Sequence, residues 1–207
     1  IDIPLADWLE ARLDRKVTLA NDGNCALLGE AWEGAAKGFT DVILLTLGTG
    51  VGGGVMINGK LFRGHKGAAA EPGLILFSPD GPSCNSGNQG SLEQFVSASA
   101  IKRNFGLDPL ELFKRAQLGN ESALRIWKLY GNNLGIGISS LVYLFTPQLV
   151  LIGGGVSAAA DYFLPSVIKQ IEKRVQPISR EGLLVRTCEL GNMAGCLGAA
   201  LNAMQRI

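Results

Sequence analysis

Val42-Ile43-Leu44-Leu45-Thr46-Leu47-Gly48-Thr49-Gly50-Val51-Gly52-Gly53-Gly54-Val55-Met56-Ile57-Asn58-Gly59-Lys60-Leu61-Phe62 is the stretch whose reading decides the fold. Its first six residues form a short apolar run, the pattern of a strand buried on both faces at the centre of a sheet. The run passes through a glycine-rich turn into a second strand, and Asn58-Gly59 is a strong hairpin signal. Gln148-Leu149-Val150-Leu151-Ile152-Gly153-Gly154 reads as a second buried strand, and Leu183 to Leu190 as a last one. Val17 to Asp22 reads as a further short strand that ends in polar residues.

Helical patterns fill the intervals. Residues 4–13 place Leu5, Trp8, Leu9 and Leu13 on one face, and Asn24 to Lys37 buries Leu27, Leu28, Ala31 and Ala35. From Ser91 the chain is mostly helical through 91–105, 108–117 and 121–145, until Pro147 forbids continuation. A helix starts at Ser157 or Ala158, and another runs from Met193 to Gln205. Residues 63–90 carry Gly, Pro and Ser with little periodicity and read as a long loop. Strand and helix blocks mix, which predicts an α/β architecture with helices covering a sheet.

Composition narrows the function classes. The 207 residues are 47% hydrophobic and 18% charged, with a net charge of +1, so there is no electrostatic footprint for nucleic acid. The four cysteines (Cys25, Cys84, Cys188 and Cys196) lie far apart with no C-x-x-C pair, which points to a reducing, cytoplasmic setting. The longest apolar stretch, Leu134 to Ile152, is interrupted by Ser139, Ser140, Pro147 and Gln148, so no membrane span is expected.

Glycine is the unusual residue, with 28 copies gathered in a few turns. Gly48 to Gly54 can cradle phosphate oxygens on successive N–H groups, with Thr49 adding a hydroxyl, or can be a tight hairpin packed through small residues. It is neither a Walker A loop nor a dinucleotide fingerprint. Gly153-Gly154-Gly155 lies between a strand and a helix, where α/β proteins bind ligands, and equally suits a plain helix start. Gly191 to Gly198 reads as a close helix contact. Asp22, at the end of a strand and the start of a helix, is either an N-cap or a general base. Glu71 and Glu93 have a surface role as the default.

Taken in order, these segments resemble the ROK family (repressor, open reading frame, kinase), which includes bacterial glucokinases, fructokinases and N-acetyl-hexosamine kinases. Asn21-Asp22-Gly23-Asn24 with Gly29-Glu30, Leu47 to Gly54 with Asn58-Gly59-Lys60-Leu61, and Pro147 to Gly155 carry the resemblance, which covers essentially the whole chain. It implies the actin-like ATPase (ribonuclease H-like) fold: an α/β C-terminal lobe with a mixed sheet covered by helices. Residues 1–20 are then the tail of an N-terminal lobe, and residues 21–207 are the lobe that binds sugar and nucleotide. The implied reaction moves the γ-phosphoryl group of ATP, with Mg²⁺, to a hexose hydroxyl in a glucokinase-like enzyme that acts as a homodimer.

By the same resemblance Asp22 is the base, Asn21, Glu71 and Glu93 bind sugar hydroxyls, and Gly48, Thr49, Gly50, Gly153, Gly154 and Gly155 bind the nucleotide. Activity is expected to need the N-terminal lobe, whose D-x-G-G-T-like phosphate loop is not in this sequence. The family's other readings are a sugar-responsive transcriptional regulator and a degenerate sugar-binding relative. Where the family pattern has a histidine and three cysteines around a structural zinc, this chain has Leu74, Cys84, Ser86 and Ser91. One thiolate does not hold tetrahedral zinc, so none is expected. Leu74 also removes a polar contact to the sugar that the family makes, and His65, the only histidine, falls outside the pattern in an exposed loop.

Overall fold

The computed structural model describes residues 3–204, so Gln205, the expected end of the last helix, lies outside the described residues. The chain builds one five-stranded mixed sheet in the order β3-β2-β1-β4-β5. Its strands are β1 (Val42–Leu47), β2 (Val51–Ile57), β3 (Lys60–Leu61), β4 (Leu149–Gly153) and β5 (Leu184–Thr187). β1 pairs antiparallel with β2 and parallel with β4, so the central strand has a ladder on each edge.

Both faces of β1 are covered, which is why its residues read as an unbroken apolar run. Ile43, Leu45 and Leu47 enter one core with Val150 and Ile152. Val42 and Leu44 enter the other with Leu149, Leu151 and Met56. The first core is closed by α6 (Glu121–Phe145) and α7 (Ala160–Arg174). Trp127, Tyr130 and Phe163 form an aromatic cluster there, and the buried Tyr130 hydroxyl donates to the Val96 carbonyl at 2.7 Å. Glycines at 131 and 135 bring α6 against α7, because a Cβ at either would run into the α7 backbone.

The second core is closed by α2 (Asp22–Glu33), which also packs along α8 (Met193–Met204). Helix starts follow capping chemistry: the side chains of Asn21, Ser97, Asp108 and Asn120 each accept an N–H at the starts of α2, α4 (Ala98–Phe105), α5 (Pro109–Gln117) and α6. The short helix α3 (Glu93–Val96) precedes α4, and α1 (Leu5–Leu13) stands at the N-terminal end with no buried residue. Among the described residues no helix is long and apolar enough to cross a membrane.

Two expectations are corrected. Residues 17–21 are not a strand: they carry no ladder, and Asp22 already belongs to α2. A strand exists through its partner's hydrogen bonds, and here no neighbouring strand pairs with the segment. The helix expected from Ser157 or Ala158 begins at Ala160, after a single 3-10 stretch over Gly155–Ala159.

Candidate active site

The Gly48–Gly50 turn joins β1 to β2 and is held from outside the hairpin. Glu93, at the start of α3, accepts the Val51 N–H at 2.9 Å. The Ala98 N–H donates to the Gly48 carbonyl at 2.8 Å, and the Ser99 hydroxyl donates to the Thr49 carbonyl at 2.7 Å. The N–H groups of Thr49 and Gly50 meet no protein acceptor among the described residues.

The rest of the glycine run has a different cause. A Cβ on Gly53 would meet the Leu44 carbonyl, and one on Gly23 would meet the Gly53 carbonyl. The run is therefore open at Gly48, closed by the Glu93 carboxylate at Gly50, and a helix seat at Gly53, so the small-residue packing reading holds for its second half.

α2 delivers the acid. Asn21, not Asp22, is the N-cap, and its side chain accepts the Asn24 N–H at 3.0 Å. Asp22 is exposed and spends one oxygen on the Gly23 N–H at 2.8 Å. It lies between two cavities of about 390 Å³ each. One is walled by Gly48, Thr49, Gly50 and Glu93, the other by Gly153, Gly154, Gly155, Ser157, Cys188 and Asn192. Asp22, Thr46 and Gly154 border both.

Thr46 was not among the expected site residues. Its signal was in the sequence, as the single hydroxyl near the end of an otherwise apolar strand.

The expected sugar contacts are not gathered in one cavity. Glu93 borders a cavity with Asp22. Asn21 borders a third cavity of about 490 Å³ with Arg63, Lys66 and Asn202, where Arg63 donates to the Asn202 side chain at 2.7 Å. Glu71 is exposed, just before the turn Pro72–Leu74 that seats on β2.

The loop between the two glutamates is tied by small polar groups. The Ser86 hydroxyl donates to the Cys84 sulfur at 3.3 Å, and Asn88 donates to the Leu74 carbonyl at 3.0 Å. Hydrogen bonding from Ser86 holds the Cys84 thiol below its usual range. Phe77 and Phe95 pack with ring centroids 4.7 Å apart. One thiol and two hydroxyls do not make a zinc donor set, and this network does the closing of the loop.

Ala70, beside Glu71, sits at φ +66°, in the left-handed region that disfavours side chains. Ala70→Gly is expected to stabilise the protein by about 1 kcal/mol, read as a rise of a few degrees in Tm. An unchanged or lowered Tm would contradict that backbone conformation.

The ROK family sequence pattern matches residues 1–206. A glucokinase from Thermotoga maritima is 34% identical over 226 residues, spanning 100% of this chain and 71% of that relative. The structure of a ROK family glucokinase from Streptomyces griseus in complex with glucose and AMPPNP is 34% identical, with a TM-score of 0.88 over 98% of this chain and 72% of that one. A xylose repressor from Bacillus spizizenii is 28% identical over 202 residues, 95% of this chain and 53% of that relative.

Proposed function

Because this chain belongs to the ROK family, we propose that it is the sugar- and nucleotide-binding lobe of an ATP-dependent hexose kinase in which Asp22 is the base. Its mixed sheet covered by helices is the actin-like ATPase fold of ROK kinases. The observation that carries the proposal is the junction of two glycine-walled cavities at one carboxylate, Asp22, beside the Thr46 hydroxyl.

In this reading ATP lies along the two glycine turns. The unpaired N–H groups of Thr49 and Gly50 meet phosphate oxygens, and Gly153 to Gly155 flank the nucleoside end. The sugar binds on the Glu93 side, with Asn21 and Glu71 reaching its outer hydroxyls. Asp22 takes the proton of the acceptor hydroxyl as that oxygen bonds to the γ-phosphorus. The bond from the γ-phosphorus to the β,γ-bridging oxygen breaks, and ADP leaves.

Such a transfer rests on positioning and charge neutralisation more than on covalent help. The Asp22 carboxylate and the Thr46 hydroxyl, which border the same space, are hard oxygen donors that would help to hold a magnesium ion. The ion supplies neutralisation of phosphate charge when bound.

Titration of the full-length protein with AMPPNP and with glucose tests the reading, which expects both to bind; protein that binds neither ends it. Thr46→Val keeps a β-branched shape in β1 and removes the hydroxyl at the junction. The expected result is a kcat about tenfold lower with Tm unchanged, the loss of one neutral polar contact to the reacting groups. Equal kcat in mutant and wild type would remove Thr46 from the site. The likeness to a xylose repressor favours a second reading, a sugar-responsive regulator, which predicts sugar binding without nucleotide binding.

A further inference from the structure

Glu30 is fully buried in α2, and neither cavity touches it. No lysine, arginine or histidine neutralises it among the described ion pairs. Its carboxylate is satisfied by backbone instead. Oε2 accepts the Ala35 N–H at 2.8 Å, just past the end of α2. Oε1 accepts the Leu190 N–H at 2.9 Å, and the Glu189 N–H reaches both oxygens at 3.1 and 3.2 Å.

Gly34 is needed for this arrangement, since a Cβ there would collide with the carboxylate. The Cys188 thiol also lies against Glu30, and burial together with that carboxylate pushes it up to about 12. At neutral pH Cys188 is therefore a protonated thiol facing an acceptor.

Residues 188–190 connect β5 to the wall of the Gly154 cavity. Cys188 borders that cavity, and so do Gly191, Asn192, Ala194 and Gly195, which follow directly. Gly191 and Asn192 are exposed. Apart from the Cys188 N–H bond to Ile152 and the single turn that starts α8, the backbone of 188–190 is tied down through Glu30.

We propose that Glu30 is a positioning residue for the nucleotide: it holds the 188–192 segment in the shape that forms one wall of the nucleotide cavity, without touching any ligand. The inference rests on the kinase reading, because it takes the Gly153–Gly155 cavity to be the nucleotide side. A carboxylate suits the task because it offers only acceptors to converging N–H groups, whereas an amide in its place presents N–H to N–H. Removing the acceptor frees the segment, and the nucleotide must then order it on binding.

The test compares Glu30→Gln with Leu27→Ala in the full-length protein. Leu27 is a fully buried core residue of the same helix that borders neither cavity, so its variant is destabilised without losing the anchor. AMPPNP and glucose affinities are measured by calorimetry, and amide exchange of residues 188–192 by mass spectrometry. Glu30→Gln is expected to weaken AMPPNP about tenfold, to leave glucose unchanged, and to speed exchange at 188–192. Leu27→Ala, at the same margin below its own Tm, is expected to do none of these. If Glu30→Gln does not fold, Glu30→Asp keeps the charge but shortens the reach by one methylene, and the same readings apply to it.

Unchanged AMPPNP affinity in a wild type that binds the nucleotide overturns the inference alone. Equal weakening of AMPPNP and glucose, or the same loss in Leu27→Ala, reduces Glu30 to a general structural residue and also overturns it. Wild-type protein that binds glucose but no nucleotide ends the kinase reading, and the inference with it.

Discussion

Asp22→Asn is expected to lower kcat by about 10³-fold, the scale of a lost general base, while glucose and AMPPNP bind as in wild type. The substitution is nearly isosteric, and the asparagine carbonyl oxygen can still accept the Gly23 N–H that Asp22 accepts at 2.8 Å. The helix start is independently capped by Asn21, so α2 keeps its N-terminus. Folding and binding are thereby separated from proton transfer, and a measurement of kcat beside two binding titrations reads the difference. A kcat within tenfold of wild type would mean that another group takes the proton. Equal loss of binding and turnover would make Asp22 a ligand contact and not a base.

The second large effect is on stability and lies where α2 crosses α8. A Cβ at Gly198 would meet the Cys25 carbonyl and the Gly29 N–H, both backbone and neither able to swing aside. Gly29 stands in the same relation to the Ala194 carbonyl, so the two helices touch through two glycines. Gly198→Ala is expected to destabilise the protein by about 3 kcal/mol, the upper part of the range for overpacking a rigid contact.

Gly195 lies one turn earlier on α8 and is the internal control. Nothing is within 4 Å of a Cβ placed there. Gly195→Ala is therefore expected to stabilise the helix by up to about 1 kcal/mol. Chemical denaturation of the two variants without ligand reads both signs; if both destabilise to the same degree, the close contact is not where the geometry puts it.

Much of the fold was legible because the sheet is buried on both faces. Val42 to Leu47 and Leu149 to Gly153 left apolar runs that only a covered central strand explains, and Asn58-Gly59 fixed the hairpin that follows. Val17 to Asn21 misled because it has strand composition, whereas a strand is defined by a partner, and none lies beside it here.

Within the site, motif order located the glycine turns and the acids but not their division of labour. That Gly53 seats a helix while Gly50 lies against a carboxylate depends on Gly23 and Glu93, far away in sequence. Asp22 looked like a cap because its neighbour Asn21 has the same capping chemistry, and only the backbone geometry separates them. Glu30 gave no local signal of its task, since its partners at 189 and 190 lie 159 and 160 residues away.

The most direct measurement is ADP release by the full-length protein from Mg-ATP, followed by a coupled assay against a panel of hexoses. Turnover that appears with one sugar or a small set, and is lost in Asp22→Asn, is the predicted result. Folded protein that binds sugar yet releases no ADP with any member of the panel would contradict the kinase reading and leave the regulator in its place.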